Sequence, residues 1–200
     1  MTNTIRPAPA DVGRLATQIL DLVEASEEYR RLEESTRLYP DCWATFTGYP
    51  IVASFDLSRD AGPLFVEAMR VLALKAALFE LTGGDERTAE LIVSAPVDEM
   101  VHAVLAQYTL CVRMTARLGI QFVHMTDQER FGWQPGDYTQ QCYQAAGWGV
   151  PDPRYWIGKD ETGRRLGVLR ERYASIGIMD DGRRHDIDFA AGTPELAAAG

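Results

Sequence analysis

Apolar residues recur at helical spacing along most of the first two thirds of the chain, and the breaks in that spacing divide it into elements. Val12, Leu15, Ile19, Leu22 and Val23 form one such run. Asp11 stands before it as a candidate N-cap, and the pattern continues through Tyr29 and Leu32 to Leu38, where Pro40 ends it. This predicts one long amphipathic helix, with Glu27–Arg31 and Glu33–Arg37 pairs supporting its far end. Cys42 to Phe55 reads as a packed loop with a short strand, because Trp43, Phe46, Tyr49, Ile51 and Val52 are interrupted by Gly48 and Pro50.

Gly62-Pro63 opens the clearest helix. Leu64, Phe65, Met69, Leu72, Ala73, Ala76, Leu78 and Phe79 leave it little polar surface, which predicts a central place in a bundle. Gly83-Gly84 should end it in the left-handed conformation. Thr88 to Val93 suggests a short helical piece. Ser94-Ala95-Pro96 is a start signal, a capping hydroxyl followed by a first-turn proline, with Asp98 and Glu99 at the positive end of the dipole. The spacing predicts one helix to Leu118 with Gly119 just past its end. Val97, Met100, Val101, Val104, Tyr108, Cys111, Val112 and Thr115 would face the core.

Beyond this point the pattern weakens. Residues 120–124 read as extended, and residues 132–136 as a loop. Asp137 can cap a helix from Tyr138 to Ala146 ended by Gly147, and Leu166 to Tyr173 favours a further helix. Ile176 and Ile178, the turn Asp181-Gly182, and Ile187 to Phe189 suggest a hairpin. The expected fold is mainly α: a bundle of about four principal helices with an irregular C-terminal third. Residues 1–9 read as a leader, 10–190 as one globular domain and 191–200 as a tail.

Composition narrows the function classes. The 200 residues are 46% hydrophobic and 24% charged, values that support a packed core. The net charge of −9 repels phosphate backbones and anionic lipids, which argues against nucleic acid and membrane partners. The arginine-rich stretch containing Arg164, Arg165, Arg170 and Arg172 is interleaved with acids. Lys75 and Lys159 are the only lysines, beside eighteen arginines, which suggests a GC-rich bacterial genome such as an actinobacterium's. Cys42, Cys111 and Cys142 are widely spaced and form no C-x-x-C pair, so buried thiols in a reducing compartment are expected. With no signal-peptide pattern and no apolar run of membrane length, the chain reads as cytoplasmic.

Candidate chemistry gathers around two of the three histidines. Asp98 and Glu99 lie four and three residues before His102 on one predicted helix, so both carboxylates neighbour the imidazole. Glu-x-x-His is the spacing used by helical carboxylate metal sites. If the turn at Gly119 carries His124 back beside this helix, then Glu99, His102 and His124 would form a partial shell for iron, zinc or copper. The cofactor such a shell takes is a divalent transition metal. A metal-free variant makes His102 a general base oriented by Asp98, with Arg113 binding an anionic group. Against both stands the helical wheel, which turns His102 away from the apolar stripe. On that geometry Asp98 and His102 are a solvated surface pair. Trp148, Tyr155 and Trp156 could line a pocket for a flat ligand or anchor loops on the core.

Val97-Asp98-Glu99-Met100-Val101-His102, then Leu118-Gly119, then Phe122-Val123-His124 resembles bacterial relatives of the glycine-rich domain-containing proteins, across residues 63–125. That family's signature is a V-D-E-x-W-H stretch, a glycine and an F-I-H segment. Leu72, Leu74 and Lys75 on the preceding helix also suit it. Val101 stands where tryptophan is usual, Val104 where a second histidine is common, and Met125 where a histidine pair is frequent. The resemblance implies a helical fold and distinct roles for His102 and His124 beside Asp98 and Glu99. Two functions remain in view. One is a small-molecule enzyme with a histidine–carboxylate site, in bacterial specialised metabolism. The other is a non-catalytic module that binds a partner protein or assembles with itself.

Overall fold

A computed structural model describes residues 6–37, 51–125 and 132–172. The expected hairpin at 176–189, the tail, Cys42, His185 and most of the aromatic stretch at 42–55 lie outside these residues. The described part holds eight helices: α1 (Pro9–Glu24), α2 (Glu27–Arg37), α3 (Leu57–Leu81), α4 (Glu86–Ala89), α5 (Ala95–Leu105), α6 (Tyr108–Leu118), α7 (Tyr138–Ala145) and α8 (Lys159–Arg172).

The central helix is α3, as its lack of a polar face predicts. Leu64, Phe65, Met69, Val71, Leu72, Leu74, Ala77 and Leu78 are all buried, and α1, α2, α4, α5 and α7 pack around it. Its start lies upstream of Gly62-Pro63. Asp56 caps it by accepting from the Ser58 N–H at 3.0 Å, and Pro63 sits inside the second turn. Gly83 and Gly84 follow its end with φ of 66° and 95°, the left-handed conformation expected of them.

Two predicted helices are each split in two. The first breaks at Ala25–Ser26, and it begins at Pro9 with Ala8 as N-cap rather than at Asp11. The break turns Glu28 inward, where it pairs with Arg117 of α6. Glu27 pairs with the same arginine at 3.3 Å. The second helix breaks at Ala106–Gln107, where the Gln107 N–H bonds the Val104 carbonyl and Cys111 Sγ donates to that same oxygen at 3.3 Å. The apolar face is rotated there. Val97, Met100, Val101, Val104 and Cys111 are buried as expected, whereas Tyr108 and Val112 are 72% and 45% exposed. Gly119 ends α6 at φ 67°, and the Ile120 N–H reaches back to the Thr115 carbonyl, which closes the turn. The short helical piece expected over 88–93 lies earlier, in α4. Residues 51–55 form a packed turn and no strand.

Helix α7 begins at Asp137, which accepts from the Gln140 N–H as predicted. It crosses α1 at close range. Thr17 Oγ1 donates to the Ala146 carbonyl at 3.0 Å, and a Cβ on Gly13 would lie 2.5 Å from the backbone at Ala145 and Ala146. Glycine is therefore required at Gly13 by the neighbouring helix and not by its own backbone.

Gly13→Ala, which in an open helix would stabilise by about 1 kcal/mol, should here destabilise by about 1–3 kcal/mol through overpacking. Urea unfolding of the two proteins measures the sign; a gain in stability would contradict the close crossing.

Candidate metal centre

The turn at Gly119 carries the chain back along α5, and the two histidines meet. The rings of His102 and His124 lie 4.7 Å apart, centroid to centroid, at 60°. Asp98 joins them: one ligand atom each from Asp98, His102 and His124 lie within 4.8 Å of one another. His102 stands between two carboxylates. Its Nε2 is 3.6 Å from Asp98 Oδ2, and its Nδ1 is 3.6 Å from Glu99 Oε2. Asp98, rather than Glu99, groups with both imidazoles, while Glu99 addresses the opposite ring nitrogen.

Solvation overturns the surface pair that the helical wheel suggests. The side chains of His102, Asp98, Glu99 and His124 are 13%, 6%, 3% and 5% exposed. The wheel treats α5 and α6 as one rod with a single buried stripe. The break at Ala106–Gln107 and the return of residues 120–125 instead cover α5 on a second side.

Two further residues complete the cluster. Lys75 is fully buried in α3, and its Nζ lies 2.6 Å from Glu90 Oε1 and 3.0 Å from His124 Nδ1. Glu90 follows α4, and its other oxygen accepts from the Met125 N–H at 2.9 Å. Glu90 thus holds the lysine and fixes the backbone beside His124. In the sequence Lys75 stands out as one of two lysines and as part of the resemblance, with no role attached, and Glu90 does not stand out at all. A lone lysine within Leu72–Leu78 was the available signal, since a cation on so apolar a helix needs a buried acid. His124 is held down to about 3 by burial first, then by the positive charges of Lys75 and His102, so its imidazole is neutral at physiological pH, the form that binds metals. Counting only the formal charges of the acids and the lysine, Asp98, Glu99 and Glu90 at −3 and Lys75 at +1, the cluster sums to −2 before the imidazoles are counted.

The other candidates do not join this cluster. Arg113 is exposed on α6, beyond the break. Cys111 and Cys142 are buried thiols that desolvation pushes up to about 11, too high for thiolate chemistry. Arg164 and Arg165 both hydrogen-bond Glu161, and this interaction neutralises part of the basic stretch. A groove of about 480 Å³ lies one turn along α3 from Lys75, lined by Ala76, Phe79 and Glu80 and by residues 119–121, which lead to His124.

Tyr155 and Trp156 are buried in the core, so the ligand-binding expectation gives way to an anchoring role. Trp156 Nε1 donates to Glu67 Oε2 at 2.7 Å, and Tyr143 donates to Glu67 Oε1 at 3.0 Å. Trp148 packs edge-on against Tyr143, with Arg70 over both rings. Tyr155 donates to Asp60 Oδ1 at 2.9 Å, and Arg154 binds both oxygens of Asp60, at 2.8 and 2.9 Å. Ser94 serves the same segment. Its hydroxyl donates to the Tyr155 carbonyl and accepts from the Ile157 N–H, and makes no capping bond to its own helix. Burial alone would push the Asp60 carboxyl up. Hydrogen bonds from Arg154, Arg59, the Asp56 N–H and Tyr155 outweigh it and hold it well below the usual carboxylate range.

No protein-family model, curated protein or solved structure matches the chain. No helix among the described residues is long and apolar enough to cross a membrane.

A carboxyl depressed in the folded state stabilises the fold above its unfolded value of about 3.9, and that contribution is lost as pH falls below it. Asp60→Asn should therefore cost roughly 3 kcal/mol at neutral pH, where two guanidinium groups lose their counter-charge. The gap between the two proteins should narrow from about pH 5 to about pH 3. Urea unfolding across that range checks it, and a gap that stays constant would contradict the assignment.

Proposed function

We propose that this protein is a small-molecule enzyme that holds one divalent transition metal on Asp98, His102 and His124. The convergence of those three side chains in a nearly water-free, acidic cluster carries this reading. Two imidazoles and one carboxylate suit iron, zinc or copper. Three protein ligands leave coordination positions for water or substrate, whereas structural zinc sites are closed by four. Ligands on one ion at about 2.1 Å stand roughly 3–3.5 Å apart, so modest side-chain rotation closes the set. Glu99 then lies on the far nitrogen of His102, the outer-sphere arrangement that orients a metal-bound imidazole. A divalent cation offsets the formal −2 of the cluster. Bound there, it would act as a Lewis acid on a small substrate.

The resemblance to bacterial relatives of the glycine-rich domain-containing proteins is consistent with this site, since both histidines fall in the shared stretches. The arginine-for-lysine bias and the free thiols Cys111 and Cys142 favour the cytoplasm of a GC-rich bacterium, a setting that suits a role in biosynthesis. A second reading, a non-catalytic module that docks a partner protein or self-assembles, draws on exposed Tyr108 and Val112, one turn apart on α6. Monomeric sedimentation at high concentration, with no co-purifying partner, would count against it.

Protein purified without chelator or nickel resin, then offered zinc or cobalt, should bind one ion per chain by elemental analysis and calorimetry. At a free metal concentration a hundred times Kd, thermal unfolding should report about 2.7 kcal/mol of stabilisation. His102→Ala should weaken binding by more than the roughly 10–100-fold expected of an outer-shell change. If metal stays substoichiometric and His102→Ala changes neither binding nor melting, the metal reading is overturned.

A further inference from the structure

The fully buried ammonium of Lys75 sits 3.0 Å from Nδ1 of His124 and 2.6 Å from Glu90. An ammonium group has only donors, so Nδ1 accepts and the ring hydrogen of the neutral imidazole belongs on Nε2. This arrangement opposes metal binding twice. The ring is held in the tautomer whose remaining nitrogen carries a hydrogen, and a unit positive charge occupies the space beside the ligands. The same charge lowers the acidic cluster from a formal −3 to −2.

We infer that Lys75 is a built-in counter-cation which competes with the metal and sets the affinity of the centre. The inference rests on the metal reading above and adds its regulation. Lysine holds the acidic cluster together when no metal is bound. Metal enters by drawing His124 away from Nζ, leaving Lys75 to Glu90. The centre is accordingly exchangeable, loading and unloading with metal supply, and removing the lysine charge makes it tighter. If Lys75 instead oriented His124 for the metal, its removal would make binding weaker, so the sign of the effect separates the two roles.

The test compares zinc affinity, by competition with a chromophoric chelator, for wild type, Lys75→Met and Lys75→Arg, each confirmed as folded by circular dichroism. Lys75→Met should bind zinc at least tenfold more tightly than wild type, and Lys75→Arg, which keeps the charge, should not. Equal or weaker binding by folded Lys75→Met, with wild type still binding, overturns the competition and leaves the metal reading intact. If neither wild type nor Lys75→Met binds zinc, both fall. Should Lys75→Met fail to fold, the wild-type protein supplies the answer through ¹⁵N-lysine labelling, since Lys75 and Lys159 are the only lysines. Zinc should move the side-chain nitrogen signal of Lys75 and leave that of Lys159 in place. A Lys75 signal unchanged on zinc binding overturns the inference.

Discussion

A lysine ammonium removed from water must find its counter-charges inside the protein, and that demand at Lys75 organises the centre of this fold. The cost of burying one ion is several kcal/mol even after relaxation. Glu90 and His124 meet it, and they come from two separate segments beyond α3. Satisfying the lysine therefore fixes the chain after α4 and the chain after α6 against one side of the central helix. His124 is carried to His102 as a result, and Asp98 and Glu99 are enclosed with it.

The same device recurs along α3. Asp60, Glu67 and Lys75 are buried polar side chains seven and eight residues apart, about two helical turns between neighbours. Each captures a different returning segment. Asp60 takes Arg154 and Tyr155, Glu67 takes Tyr143 and Trp156, and Lys75 takes Glu90 and His124. Apolar packing alone would let these segments slide over the helix. Hydrogen-bonded charges give them one register, because a buried carboxylate or ammonium left unmatched costs more than any packing gain from an alternative fit.

Much of this was legible from local signals. The apolar length of α3, the helix start at Ala95-Pro96, and the left-handed ends at Gly83-Gly84 and Gly119 have direct chemical causes that the structure bears out, although the Ser94 hydroxyl serves residues 155–157 instead of capping its helix. The breaks at Ala25–Ser26 and Ala106–Gln107 were not legible, because neither contains glycine or proline and the helical period runs through both. That omission hid the burial of His102, since the wheel for a continuous helix has one dry side and α5 has two. It also placed Tyr108 and Val112 in the core. The anchoring partners of the aromatic segment at 148–156 were not legible either, because Asp60 and Glu67 lie some ninety residues away in sequence. Their presence on an apolar helix was the clue.

The central claim is that both imidazoles bind one ion. X-ray absorption at the zinc K-edge, on protein loaded with one equivalent of zinc, tests it most directly. Zinc held by both rings should show the outer-shell scattering of two imidazoles together with carboxylate and solvent oxygen. A first shell of oxygen alone, or the signature of a single imidazole, would contradict it.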